Sequence, residues 1–140
     1  GTITPASGFV GPGGALVIGL CAGVVCFFAT QYLKQVLKID DSLDVFPVHG
    51  VGGMLGTFFA GIFASAGLGV FSGQGYNEGM TMGSQVGVQF VGIISTVVYT
   101  ALLTFIIVKF VTAINGFRVA EDDENSGLDI VLHDEKGYDL

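Results

Sequence analysis

The sequence predicts an all-α membrane protein, and three observations predict it. Of the 140 residues, 51% are hydrophobic and only 12% charged, with a mean hydropathy of +0.72, whereas soluble domains carry about a quarter charged residues. Three apolar segments reach the roughly 20 residues a helix needs to cross a bilayer: Ala15 to Leu33, Val45 to Leu68 and Val86 to Ile114. No Asp, Glu, Lys or Arg stands between Asp44 and Glu78, and the third segment holds only Lys109, near its end.

The elements follow in order. Residues 1–14, GTITPASGFVGPGG, set Pro5 and Pro12 among glycines, which reads as the end of a preceding helix and a turn-rich connection. They open without Met, without a charged n-region and without a small-residue cleavage site, so no signal peptide is read and the chain is expected to be a fragment. In the first span Cys21 and Cys26 lie five apart, about 500° around the axis at 100° per residue. They point in different directions, match no zinc spacing and read as packing residues. The second span opens at Asp44, expected as its N-cap, with Pro47 in the first turn where proline is tolerated. The third is long enough to tilt, and residues 116–140 form a tail.

Charge placement orients the chain. Eight of the twelve acidic residues lie from Glu121 onward, so the net charge of −7 describes mainly the tail. Nothing supplies the clustered Lys and Arg that replace phosphate counterions, which excludes nucleic acid. Lys34 and Lys38 follow the first span, Lys109 and Arg118 flank the end of the third, and residues 69–83 hold no basic residue. By the positive-inside rule the 34–44 connection and the C-terminal tail are cytoplasmic and the Gly-rich loop is outside, in a multi-pass protein of the cell membrane.

Enzyme signatures are absent. GQGYNEG, residues 73–79, has the glycines of a phosphate cradle but no following GK[ST] and no preceding strand, and is expected to be a flexible connection. His49 has no HExxH partner, and no Ser or Cys suggests a triad. No metal site, cofactor or catalytic residue is assigned.

The one chemical anomaly is DVFPVHGVGG, residues 44–53. Val45, His49, Gly52, Gly53 and Gly56 share one stripe at i, i+3, i+4 and i+7 spacings. The glycines leave that stripe bare, so either another backbone approaches closely or the histidine overlooks open space. Structurally, His49 could serve only an interhelical hydrogen bond. Functionally, ionisable groups inside membrane helices mark ion or proton pathways, and a neutral imidazole donates at one nitrogen and accepts at the other.

The stretch DDSLDVFPVHGVGGMLGTFFAGIF, residues 40–63, resembles the signature of the ammonium transporter family, with the Rh proteins as distant relatives. TITPASGFVGPGGALVIG upstream and GFRVAEDDENSGLDIVLHDEKGY downstream resemble the same family in the same order. The resemblance implies the last three of eleven membrane helices plus a cytoplasmic tail. It implies that His49 is the second of two histidines along a narrow hydrophobic pore whose first member lies outside this chain. Val45 then matches a pore-lining apolar position, Thr4 a threonine near the conduction path, and Asp40, Asp41 and Asp44 the acidic start of the helix. The family's outer recruitment site uses a tryptophan among its aromatics; this chain has no Trp, and no recruitment residue is assigned.

The resemblance further implies a mechanism and partners. Ammonium is deprotonated outside, and ammonia and the proton pass the histidines before recombining inside. The assembly is a homotrimer in the lipid bilayer, and the tail, with Gly127, Leu128 and Asp129, folds against the cytoplasmic face and meets PII-type regulators. The tail's Leu128, Ile130, Val131 and Leu132 are unlike a solvated acidic run, whereas His133 reads as exposed tail. Two functions are therefore carried: a transporter or channel subunit, or an ammonium-sensing or partner-docking membrane module acting through its tail.

Overall fold

The computed structural model describes residues 1–135 and 137–138. Among the described residues five α-helices follow one another: α1, Pro12–Gln31; α2, Gly52–Phe63; α3, Met82–Asn115; α4, Glu121–Ser126; and α5, Leu128–His133. Two of them are lengthened by π-helical turns, Tyr32–Leu37 after α1 and Phe46–Val51 before α2. Short 3-10 turns occupy Thr4–Ala6 and Gly69–Phe71, and no strand occurs among the described residues. Three helical stretches among the described residues are long and apolar enough to cross a membrane: Pro12–Leu37, Phe46–Phe63 and Met82–Asn115. The residues group into two compact units, Gly1–Thr96 and Val97–Leu140.

A helix long and apolar enough to cross a membrane lies at each of the three expected spans, with shifted ends. The first starts at Pro12, not Ala15, because Gly11 is extended and proline takes the first helical position, where its missing N–H has no intrahelical partner to lose. It runs on to Leu37 and stops as Lys38 enters the left-handed region at φ 52°. The second ends at Phe63 instead of Leu68. Ser65 N–H already donates to Ile62 O at 3.2 Å and Gly67 N–H to the Ser65 hydroxyl at 3.3 Å, so the chain turns away although its residues remain apolar. The third begins at Met82, ahead of Val86. Thr81 and Ser84 cap each other there: Ser84 N–H donates to Thr81 Oγ1 at 3.3 Å and Thr81 N–H to Ser84 Oγ at 2.8 Å, a capping box with serine in the place usually held by Glu or Gln.

Packing in the first unit relies on small residues. Ala6, Ile18 and Ala60 form its core, with Val10, Phe59 and Phe63 against them. Lipid tails are as apolar as leucine, so helices in a bilayer associate by close contact and not by apolar burial. Gly61 is the point where α2 meets the start of α3: a Cβ there would lie 3.2 Å from Val86 Cα. Apolar side chains from Phe90 to Ile114 line α3, and none of its residues is buried. At about 1.5 Å per residue its 34 residues extend about 51 Å, beyond the roughly 30 Å hydrocarbon core.

The connection between α2 and α3 is ordered, contrary to the flexible loop its composition suggests. Tyr76 reaches back to donate its hydroxyl to Gly61 O at 2.7 Å and Ile62 O at 3.0 Å. Gly75 N–H donates to Ala64 O at 2.7 Å, Gly73 N–H to Ser65 O at 2.9 Å and Gln74 N–H to Phe9 O at 3.0 Å. These bonds occupy carbonyls that the end of α2 would otherwise leave open.

Candidate functional site

The helix carrying His49 begins at a polar clasp. Asp41 accepts from two main-chain amides at once, Val45 N–H at 2.9 Å on Oδ1 and Phe46 N–H at 2.8 Å on Oδ2. Pro47 has no amide to satisfy, and Val48 N–H donates to Asp44 O at 3.0 Å. Every donor in the first turn is therefore occupied. The expectation that Asp44 caps this helix is corrected here. Asp44 stands at φ 55°, a left-handed conformation that Asp tolerates better than most residues, and its carboxylate lies 2.7 Å from Lys34 Nζ.

From Phe46 to Val51 the backbone is wound as a π-helix, with i→i+5 bonds of a kind often found at functional sites. Gly52 N–H donating to Pro47 O is one of them. His49 lies in this wide turn and is exposed, as is Val45. Within this chain, the first residue flanks the imidazole: a Cβ built on Gly1 would lie 3.3 Å from His49 Nδ1.

Past the wide turn the bare stripe divides in two. Thr2 fills the space at Gly52 and Gly56, since a Cβ at Gly52 would lie 2.6 Å from Thr2 Oγ1 and one at Gly56 would collide with the Thr2 carbonyl. Gly53 has nothing within 4 Å of where its Cβ would be. Close backbone approach and open space thus both occur on one helix. Cys26 packs at the same place, its Sγ 3.2 Å from the Gly52 Cβ position.

Of the residues singled out from sequence, Asp41, Asp44, Val45 and His49 come together along the start of the second span. Asp40 and Asp41 line, with Lys34, Lys38, Ile39 and Ser42, an open hollow of about 360 Å³ beside it. Thr4 is exposed in the turn Thr4–Ala6. Thr2, buried to 8% exposure, is the residue of that segment that meets the glycines. The signal for it in the sequence is the pairing of a bare glycine face with a nearby segment of small residues.

The tail residues belong to the second unit. Gly127 separates α4 from α5 at φ 94°, a backbone conformation that suits glycine. Leu128 and Asp129 open α5, and Val131 N–H donates to Gly127 O at 3.0 Å. Arg118 holds Glu124 in a two-pronged pair, Nε to Oε2 at 2.8 Å and Nη2 to Oε1 at 2.7 Å. The Arg118 hydrogen bonds, with its charge in support, hold the Glu124 carboxyl below the ordinary glutamate value of 4.5.

These features define a helical protein with three segments fit to cross a bilayer and a histidine at the wide turn of one of them. Residues 2–138 match the model of the Ammonium Transporter Family. The chain is 41% identical over 138 residues to the ammonium transporter of Aquifex aeolicus, covering 99% of this chain and 31% of that protein. Against Amt1 of Archaeoglobus fulgidus it is 40% identical over 137 residues, 97% of this chain and 34% of the relative. Against the ammonium transporter of Bacillus subtilis the identity is 38% over 136 residues, 97% and 33%. The chain belongs to the ammonium transporter family, and it spans about a third of the length of the curated relatives it matches.

Two outcomes follow. In the complete protein, Gly56→Ala forces a methyl group into the Thr2 carbonyl and lowers stability by about 1–3 kcal/mol, the usual cost of overpacking; thermal unfolding in detergent measures it, and an unchanged midpoint contradicts the contact. For the tail, a lowered folded-state carboxyl means that the Arg118 contact favours order above the unfolded value and is lost as pH falls through the folded one. A carbon-detected NMR titration of Glu124 should therefore give a midpoint below 4.5, rising towards that value in Arg118→Gln.

Proposed function

We propose that this chain is part of an ammonium transporter or channel in which His49 lines the conduction path, relaying protons and selecting against cations. One observation carries the reading: between Asp44 and Tyr76 the only ionisable side chain is His49, set on a face whose other members are apolar or glycine, in a chain of this family. A bare ammonium ion loses its hydration at great cost in such surroundings, whereas ammonia is small and neutral and escapes most of that cost. Deprotonation on the outer side separates the two problems. Ammonia crosses the apolar stretch, and the proton is passed through an imidazole that donates from one ring nitrogen while accepting at the other.

In this reading Val45 narrows the path one turn before His49, Thr4 lies near it, and a second histidine comes from another part of the complete protein. Asp40, Asp41 and Asp44 form the acidic cytoplasmic start of the helix. Three spans with a polar stripe need partners in lipid, so the path is shared with further helices, in a homotrimer. The tail, through Gly127, Leu128 and Asp129, lies in the cytoplasm and couples to a PII-type regulator.

His49→Ala in the complete protein, reconstituted in liposomes at matched abundance, should lower methylammonium uptake by about a hundredfold, the low end of what a positioned acid–base group contributes, or admit potassium in its place. His49→Glu keeps a proton-exchanging group that can carry negative charge, so it should retain flux or pass cations more freely, with a changed profile across pH 5 to 8. If neither variant alters rate, selectivity or pH profile, His49 is a packing residue. Topology gives a separate check: cysteine labels at Gly73 to Gly79 should react from outside, and labels after Arg118 only from the cytoplasm. Reaction of both from one side refutes the arrangement.

A further inference from the structure

Asp44 is the last residue before the His49 helix, yet its carboxylate takes no part in capping it. Asp41 has already filled that role with both oxygens. What Asp44 does instead is turn the chain at φ 55° and face Lys34, on the π-wound exit of the first span, at 2.7 Å. Its own carbonyl receives Val48 N–H at 3.0 Å, one residue before His49. An ion pair at the Asp44 side chain and a hydrogen bond at its carbonyl therefore connect the Lys34 ammonium to the wide turn. The pair also closes the connection between the two spans, since it joins the end of one to the start of the next.

Stability is a poor explanation for this pair. The Asp44 oxygen that faces Lys34 is covered, but the Lys34 and Asp44 side chains as wholes are 42% and 32% exposed, and a pair whose ammonium is this open adds little to folding because water and salt screen it. Geometry is the better one. A left-handed non-glycine residue persists only where its surroundings hold it, and an i→i+5 turn competes with ordinary α-winding. The charges around the pair are Lys38, Asp40 and Asp41 of the same connection, which line the open hollow beside it.

We propose that Lys34 is a positioning residue for His49: by holding the Asp44 carboxylate it fixes the turn at Asp44, and with it the π-winding that sets the direction of the imidazole. This rests on the reading of His49 as a conduction residue. The test uses the complete protein in liposomes at matched abundance, measuring methylammonium uptake and the methylammonium-to-potassium ratio. Lys34→Gln and Asp44→Asn should each lower the maximal rate by about two- to tenfold, the double variant should do no more than either alone because the two act through one contact, and Lys34→Arg should restore the rate. Asp44→Asn breaks the same contact from the other side, so it serves if Lys34→Gln assembles poorly.

The deciding arm places Lys34→Gln in a His49→Ala background, where it should have no further effect. A loss of the same size in both backgrounds overturns the proposal, as does full activity of Lys34→Gln alone or additive losses in the double variant. If His49→Ala alone leaves rate and selectivity unchanged, the conduction reading falls and this proposal falls with it. If His49→Ala changes transport and Lys34→Gln does not, the positioning role alone is wrong.

Discussion

The bidentate clasp of Asp41 on Val45 and Phe46 is the interaction on which the rest of this arrangement depends. A helix entering a bilayer carries up to four amides with no intrahelical acceptor, and hydrocarbon offers none. Here Asp41 takes two, Pro47 removes one, and Asp44 O accepts the fourth. Because those groups are satisfied by the chain immediately upstream, the helix can begin abruptly and bring His49 close to its mouth. Asp44 is released from capping by the same division of labour, and its carboxylate can turn to Lys34.

Contact between backbones does for the interior what the clasp does for the end. Thr2 lies so close to Gly52 and Gly56 that no side chain fits between them, and Ala6 packs with Ala60 one turn further along. Small residues thus line the closest approach of residues 2–6 to the histidine helix, with Ile18 in the same core. Dispersion over a close contact is the main attraction available where the surrounding solvent is itself apolar. Gly53, one position away from Gly52, is left clear, so a single helix supplies both a packed face and a bare one.

Much of this was legible in the sequence. Hydropathy located the three spans, the lone ionisable residue in an apolar run located His49, and the glycine spacing indicated a face without side chains. The misses have physical reasons. Composition does not report backbone dihedrals, so apolar residues 64–68 were counted as helix although the chain turns there. Asp40, Asp41 and Asp44 are chemically equivalent candidates for a cap, and only the left-handed turn at Asp44 decides among them. The order of residues 73–79 rests on a tyrosine hydroxyl reaching back 14 and 15 residues and on the Gly73, Gln74 and Gly75 amides donating to Ser65, Phe9 and Ala64, contacts no local pattern encodes. The Arg118–Glu124 pair is separated by six residues and bridges a break between helices, outside the i, i+4 rule by which helical pairs are found.

The wide turn at Phe46–Val51 has a consequence for how residues on this helix share a face. A wheel drawn at a uniform 100° per residue assumes regular α-winding throughout, and across an i→i+5 segment it runs out of phase. The azimuth of His49 relative to Gly52 and Gly56 is therefore set by winding as well as by spacing. Val45 and Asp44 keep the phase of the connection before the turn, whereas Gly56 and Ala60 keep that of the packed bundle after it. Rewinding those six residues to a regular helix would rotate the imidazole away from its present bearing while leaving every neighbouring side chain chemically the same. The direction in which this histidine points is thus a property of the main chain, and a lining of identical composition would not be enough to reproduce it.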